Sequence, residues 1–284
     1  MNSAGGNAAM APLSPAADRR NLYFRIASGV VLGPLVLLLA FLPPPYLPPH
    51  AFDVSIAVAT AIGLGEWLKL VAGRMLWWPH AVPFVILVLY WLYGIGDALA
   101  ALAVFTLLIG LLAGRSLRDK GFAAFGLPYV GLTMLALAWL HDPFNGGWPM
   151  VFFVFFTVWS TDIGAYAVGR SLKGPRLWPS ISPNKTWSGF LGGLGFAAIV
   201  ALCLSQAFNA SRPVQVVEIA IGLSLLGQGG DLFESAMKRR FGVKDSGNLI
   251  PGHGGMLDRI DALLWAAPSF ALLHSFGLTA GLSP

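Results

Sequence analysis

Residues Val216 to Asp261 run V-V-E-I-A-I-G-L-S-L-L-G-Q-G-G-D-L-F-E-S-A-M-K-R-R-F-G-V-K-D-S-G-N-L-I-P-G-H-G-G-M-L-D-R-I-D. The part from Val216 to Ser235 is apolar enough to cross a hydrocarbon core of roughly 30 Å, which takes about 20 residues of helix. From Lys238 onward the composition changes. Five Lys and Arg, His253, three Asp and five Gly separate this run from the next apolar one at Ala262. That mixture makes a poor packed core and a good grip for a phosphorylated ligand held with the help of a metal ion. A membrane-crossing helix that delivers its polar end into an active site is the frame for the whole chain.

The rest of the sequence fits that frame. The chain is 56% hydrophobic and only 11% charged, with a mean hydropathy of +0.69, too little polar surface to coat a soluble globule of 284 residues. Apolar stretches recur at Phe24–Leu42, Ala51–Ala72, Ala81–Ile95, Ala98–Ala113, Phe122–Leu140, Met150–Val168, Ser188–Phe208, Val216–Ser235 and Ala262–Leu282. The fold class predicted is all-α: a polytopic integral membrane protein of nine spans. The third and fourth spans are short, and their join at Gly94, Gly96 and Asp97 is either a tight turn or a broken helix. Lys and Arg accumulate in loops that stay cytoplasmic. With the N-terminus cytoplasmic and the C-terminus outside, every one of the 18 Lys and Arg except Arg212 falls on the inner side.

Three regions follow. Residues 1–20 form an Ala-, Gly- and Pro-rich disordered arm, residues 21–147 an N-terminal membrane region of five spans, and residues 148–284 a catalytic membrane region with cytoplasmic loops at 169–188 and 236–261. A cleaved signal peptide is not expected, because the first apolar run ends in Pro43-Pro44-Pro45 without a small-residue cleavage pattern. The net charge of +5 follows from topology, and no basic stripe on a soluble domain exists to bind nucleic acid. Cys203 stands alone, which excludes a disulfide and a thiolate metal cluster.

Charges inside spans are costly and usually functional. Asp231, Glu234, Ser235 and Lys238 lie at i, i+3, i+4 and i+7, on one helical stripe. Asp162, Tyr166 and Arg170 make a second stripe, and Asp258 and Asp261 stand three apart before the last span. Carboxylates from three segments at one depth predict a shared cavity open to the cytoplasm. The competing explanation is a set of buried ion pairs, such as Asp231 with Arg259 or Asp162 with Lys185. Glu66, Glu218 and Glu234 are weaker candidates, near span ends or basic neighbours. The loop G-R-S-L-K-G-P-R-L-W-P-S-I-S-P-N-K-T-W-S-G at Gly169–Gly189 offers cations and hydroxyls to phosphates, Ser182-Pro183-Asn184-Lys185-Thr186 above all. Gly252, Gly254 and Gly255 flank His253 and let backbone approach a ligand; among metal binding, proton transfer and phosphate hydrogen bonding, the last suits a histidine with no other nearby. The Gly189 and Gly193 pair predicts close helix packing.

Hard carboxylate oxygens without a Cys or His cluster point to Mg²⁺, which normally partners substrate phosphates, and with the cations to phosphoryl or nucleotidyl transfer. The spacing of Ser235, Lys238-Arg239, Lys244-Asp245, Gly247, His253-Gly254-Gly255, Asp258-Arg259 and Asp261 is S-x-x-K-R-x4-K-D-x-G-x5-H-G-G-x-x-D-R-x-D. It resembles the signature of the CDP-diacylglycerol synthase family, also called phosphatidate cytidylyltransferases. Gly230-Asp231-Leu232-x-Glu234-Ser235, Asp162-x-Gly164-Ala165-Tyr166 with Gly169-Arg170, and Ser182-Pro183-Asn184-Lys185-Thr186-Trp187-x-Gly189 also resemble family blocks. Asn184 stands where the family more often has lysine.

The resemblance implies that CTP and phosphatidate react to CDP-diacylglycerol and pyrophosphate at a bacterial-type inner membrane, on its cytoplasmic face. In the expected site, Asp231, Asp258 and Asp261 hold Mg²⁺. Lys238, Arg239, Lys244, Arg259 and Lys185 neutralise phosphates, beside Asp245. His253, Gly254 and Gly255 grip a phosphate, and Asp162, Tyr166, Arg170, Ser182, Thr186 and Ser235 bind substrate. A second, monovalent cation and a homodimer are left open. So are, on chemistry alone, an ether-lipid cytidylyltransferase, a polyprenol kinase and a proton- or cation-coupled transporter. The last would place its acids near mid-bilayer and show an inverted repeat, neither of which is evident. A CDP-alcohol phosphotransferase would need D-G-x2-A-R, which is absent.

Overall fold

The computed structural model describes residues 38–39, 41–42, 48, 50–73, 76–113, 116–247 and 254–282. The expected N-terminal arm, nearly all of the expected first span, Arg74, Arg115 and His253 lie outside the described residues. The described chain is a helical bundle. Helix α1 spans Ala51–Ala72; a 3-10 turn at Trp78–Ala81 leads into α2, Val82–Tyr93; α3 is Ile95–Ala113, α4 Leu117–His141 and α5 Trp148–Leu172. After a short hairpin come α6, Trp187–Ala207, α7, Pro213–Arg240, the single turn α8, Leu257–Ile260, and α9, Leu263–Ser275.

Six helices, α1, α3, α4, α5, α6 and α7, are long and apolar enough to cross a membrane, while the apolar segments Trp78–Tyr93 and Leu263–Ser275 are shorter. Each overlaps a stretch predicted from hydropathy, and α1 matches it end to end. The join between the third and fourth stretches is a single residue, Gly94, whose φ of +93° breaks the helix so that α2 and α3 pack on each other. The last stretch departs from expectation. It is α-helical only over Leu263–Ser275, because Gly277 at φ +71° turns the chain, and a 3-10 turn follows at Ala280–Leu282.

The described chain is mostly helical, as expected, with one small non-helical addition. The loop between α5 and α6 folds as an antiparallel hairpin, β1 at Arg176–Trp178 and β2 at Ser182–Thr186, with Arg176 opposite Thr186 and Trp178 opposite Ser182. Pro183 within β2 suits an edge, where no ladder donor is needed. The hairpin ends directly in a helix start: the Thr186 hydroxyl accepts the Gly189 N–H at 3.1 Å, an N-cap.

Helix α4 is the hub. It opens with a capping box, Ser116 taking the Asp119 N–H while Asp119 takes that of Ser116, and most of its length is buried. On one side it shares a core with α1, α2 and α3, including the fully buried Trp67, Leu68 and Leu127. On the other it meets α5, α7 and α9 around Phe153, Phe270 and Leu223. Both cores draw residues from before and after residue 147: Leu257 and Leu264 join the first, Phe52 the second.

Helices α5 and α6 make the most extensive contact in the bundle. Hydrophobic burial gives no drive between helices in lipid, so close backbone approach through small residues does that work. A Cβ placed on Gly164 would lie 2.7 Å from the Gly192 carbonyl, and one on Gly189 2.8 Å from that of Ala165. The Gly189 and Gly193 pair thus serves packing, as its spacing predicts. Gly164→Ala is expected to lower the thermal midpoint of detergent-solubilised protein by several degrees, an overpacking cost of about 1–3 kcal/mol. Gly195→Ala, in the same α6 but facing open space, should leave it unchanged or raise it. Equal midpoints for both variants would show that the seam tolerates side chains.

Candidate active site

The polar stripe of α7 forms as its spacing predicts. Ser235 donates to Asp231 at 3.4 Å, and Lys238 pairs with Glu234 at 3.4 Å, both one turn apart. Glu234 is 1% exposed, and neither of its carboxylate oxygens has a hydrogen bond, so the Lys238 ammonium is what offsets its charge. Lys238 also reaches Asp258 Oδ1 at 2.5 Å, and so lies between two carboxylates from different segments. Asp231 is paired instead with Lys185, which β2 carries across from the hairpin. Neither of the ion pairs weighed from sequence alone is the one Asp231 makes. Arg239 extends a long 3.5 Å contact to the Ile181 carbonyl, a second tie between α7 and the hairpin.

Asp261 joins this group because α7 and the α8–α9 corner touch through backbone. A Cβ on Gly230 would fall 2.7 Å from the Asp261 carbonyl. Asp261 thereby comes within electrostatic reach of Asp231, Glu234 and Asp162. Its carboxyl is pushed well above the usual range by burial first and then by the charge of Asp231 and Glu234. Asp162 is within reach of Asp231, Lys185 and Arg259. Tyr166 and Arg170 pair with each other on the exposed face of α5, the guanidinium donating to the phenol oxygen at 2.7 Å. Arg259, Lys244 and Asp245 are exposed around the site, and Arg259 has interactions of its own.

Asp258, expected to share one ion with Asp231 and Asp261, has both of its oxygens in contact with protein groups. Its Oδ1 takes Lys238, and its Oδ2 takes the Ser246 N–H at 2.9 Å, the Ser246 hydroxyl at 2.9 Å and the Gly255 N–H at 2.8 Å. Burial works to raise its pKa, but the bond from Lys238 and the N–H donors outweigh it and hold the carboxyl below the ordinary range. A depressed folded-state pKa contributes stability that is fully present above the unfolded value near 3.9 and is lost only as pH falls through the depressed one. The tether therefore holds across the neutral range. Gly254 and Gly255, expected to grip phosphate, serve this loop: the Gly255 N–H is committed to Asp258, and a Cβ on Gly254 would lie 2.7 Å from Asp258 Oδ2. Thr186 spends its hydroxyl on the α6 cap, and Ser182 sits in the hairpin ladder.

Glu66 is the residue that sequence reasoning undervalued. From near the end of α1 it accepts the Met256 N–H and the Leu257 N–H, each at 2.9 Å, and the Ser246 hydroxyl at 3.3 Å. The available signal was an acid well inside a largely apolar span. Glu234, also set aside, proves to be the most buried acid of the site.

A divalent cation suits the donor set. Asp231 and Asp261 interact with each other and with both Asp162 and Glu234, a set of hard carboxylates in which Lys185 and Lys238 are already paired. Among the described residues no three His, Cys, Asp or Glu side chains already converge tightly enough to hold an ion. Magnesium does not require it, because it keeps several waters and takes one or two carboxylates plus substrate phosphates. The cavity of about 850 Å³ between the start of α1 and the start of α5, lined by Asp53, Trp91 and His141, lies at the other end of the bundle from these acids.

Comparison with known proteins points to one family. A protein from Brucella suis biovar 1, "Phosphatidate cytidylyltransferase", is 40% identical over 261 residues, covering 90% of this chain and 93% of its own. One of the same name from Bacillus subtilis strain 168 is 42% identical over 151 residues, 53% of this chain and 56% of its own. One from Staphylococcus saprophyticus is 43% identical over 160 residues, 56% of this chain and 60% of its own. The sequence profile of the cytidylyltransferase family matches residues 23–276. With that span matched and the charged cluster assembled from α5, β2, α7 and the α8 corner, the chain belongs to the cytidylyltransferase family.

Proposed function

We propose that this protein transfers the cytidylyl group of CTP to phosphatidate, giving CDP-diacylglycerol and pyrophosphate. The observation that carries this reading is the pairing of Lys185 with Asp231 and of Lys238 with Asp258, which gathers three separate segments into one charged site at the end of an apolar bundle. The printed names of the relatives support the same reaction. In it, a phosphate oxygen of the lipid attacks the α-phosphorus of CTP in line, that P–O bond forms, and the bond to the β-phosphate oxygen breaks with pyrophosphate leaving. The lipid phosphate loses its second proton at about pH 6 and arrives already nucleophilic, so no residue is assigned as general base. Bringing several negative charges together is the obstacle, and cations lower it.

Lys185 and Lys238 are the cations built into the site. Each is held by a carboxylate until phosphates compete for it. Arg239, Lys244 and Arg259 line the exposed rim, where they attract the triphosphate, and His253 is assigned a phosphate oxygen. Asp231 and Asp261, with Asp162 beside them, are the residues we assign to Mg²⁺, which supplies charge neutralisation at the phosphates when bound. Asp258, with both oxygens engaged by the protein, is assigned to holding Lys238 in place. We further propose nine spans in a bacterial inner membrane, N-terminus inside, with the site on the cytoplasmic face; the concentration of Lys and Arg at that end supports it.

Purified protein supplied with CTP, phosphatidate and Mg²⁺ should release pyrophosphate and form CDP-diacylglycerol in equal amounts. Folded protein that releases none would overturn the reaction. Chelation should stop turnover and Mg²⁺ restore it; undiminished activity in excess chelator would remove the metal. Asp231→Asn should reduce kcat by roughly 10²- to 10³-fold with normal accumulation in the membrane, whereas Arg212→Ala, at the opposite end, should change it less than about twofold. Near-normal turnover of Asp231→Asn would take that carboxylate out of the site. Single cysteines at Arg118 and Asn145, in a Cys203→Ala background, should react with an impermeant maleimide from opposite sides; labelling from one side would refute the topology.

A further inference from the structure

The contacts of Glu66 describe more than a buried acid. Helix α1 belongs to the part of the chain farthest in sequence from the charged cluster, yet its carboxylate takes two consecutive backbone donors, Met256 and Leu257, at 2.9 Å each. These are the N–H groups just before and at the start of α8, the turn that carries Asp258 and Arg259. The Ser246 hydroxyl is shared, reaching Glu66 Oε2 at 3.3 Å and Asp258 Oδ2 at 2.9 Å. Two carboxylates, one from α1 and one from α8, thus grip the same strip of chain from two sides.

The strip is shaped for that grip. A Cβ on Gly255 would sit 2.6 Å from Glu66 Oε2, and a Cβ on Gly247 would also strike the Glu66 carboxylate. Beneath it, Gly63 of α1 leaves room for Leu257, which is fully buried; a Cβ there would be 3.2 Å from Leu257 Cδ2. Glu66 and Gly63 are three apart, so one face of α1 supplies both the apolar seat and the polar clamp. Charged acceptors make the stronger hydrogen bonds, and here one acceptor satisfies donors that helix geometry leaves unpaired.

We propose that Glu66 is a positioning residue of the active site. It fixes the backbone at Met256 and Leu257, which sets Asp258, which in turn sets the Lys238 ammonium. Its effect on turnover rests on the cytidylyl-transfer reading above; its effect on the backbone does not. The N-terminal helices thereby acquire a part in the reaction through the backbone that they hold.

The test separates the two levels. In substrate-free protein, Glu66→Ala should speed hydrogen exchange at the Met256 and Leu257 amides by about 10-fold or more, and Glu66→Gln, with one carbonyl acceptor left, should fall between it and wild type. With CTP and phosphatidate, kcat should drop in the same order by roughly 10- to 100-fold while KM for CTP moves less than about threefold, since small misplacement of a charge-neutralising group costs rate first. Gly247→Ala approaches the clamp from the loop, outside the helix bundle, and should reproduce both effects even if the Glu66 variants fail to fold. Unchanged exchange in Glu66→Ala and Gly247→Ala, or fast exchange with wild-type kcat, overturns the proposal. Faster exchange in a protein whose wild type never turns over CTP upholds the clamp and overturns the reaction assigned.

Discussion

An ionised carboxylate taken out of water without a partner costs several kcal/mol even after relaxation, more than any one apolar contact returns. This protein places Asp231, Glu234 and Asp258 at one end of an apolar bundle, and each is set against a partner that offsets it. Lys238 stands between Glu234 and Asp258, Lys185 reaches Asp231 from a hairpin, and loop N–H groups surround Asp258. The hairpin, the α7 stripe and the glycine loop are therefore parts of one charge balance. Removing Lys238 would strand the buried Glu234, so there the site and the local fold stand together.

Balance of that kind requires backbones that approach closely, and small residues make the approach. Gly230 brings α7 onto the Asp261 carbonyl, Gly164 and Gly189 bring α5 onto α6, and Gly63 seats Leu257 against α1. The same residue type thus serves two ends: it gives helices in lipid their contact, and it sets the depth at which acids from different helices meet. Lys185 reaches Asp231 because Thr186, the next residue, caps α6 and anchors the end of β2.

Much of this was legible in the chain itself. Hydropathy located every long helix among the described residues, because a span must be apolar over most of its length, and α1 was bounded to the residue. The i, i+3, i+4, i+7 spacing placed Asp231, Glu234, Ser235 and Lys238 on one stripe because helix geometry is local. What stayed hidden depends on distant partners. Ser182-Pro183-Asn184-Lys185-Thr186 carries no alternation that announces a strand, and it becomes one by pairing with Arg176–Trp178. Glu66 beside Trp67 and near Lys69 looked like a solvated span end, since its donors lie some 190 positions away. The contacts of Asp258 with the Ser246 and Gly255 N–H groups were hidden too, since backbone donors have no side-chain signature. The last helix fell short because one glycine, Gly277, turned the chain before hydropathy ran out.

The bond between Lys185 and Asp231 joins the hairpin to α7, and it is made by the very groups a nucleotide would seek. In the reaction proposed above, the triphosphate would compete for the ammonium and the cation for the carboxylate. The ion pair that fastens the hairpin to α7 is therefore also the contact that substrate binding, as proposed above, would have to part.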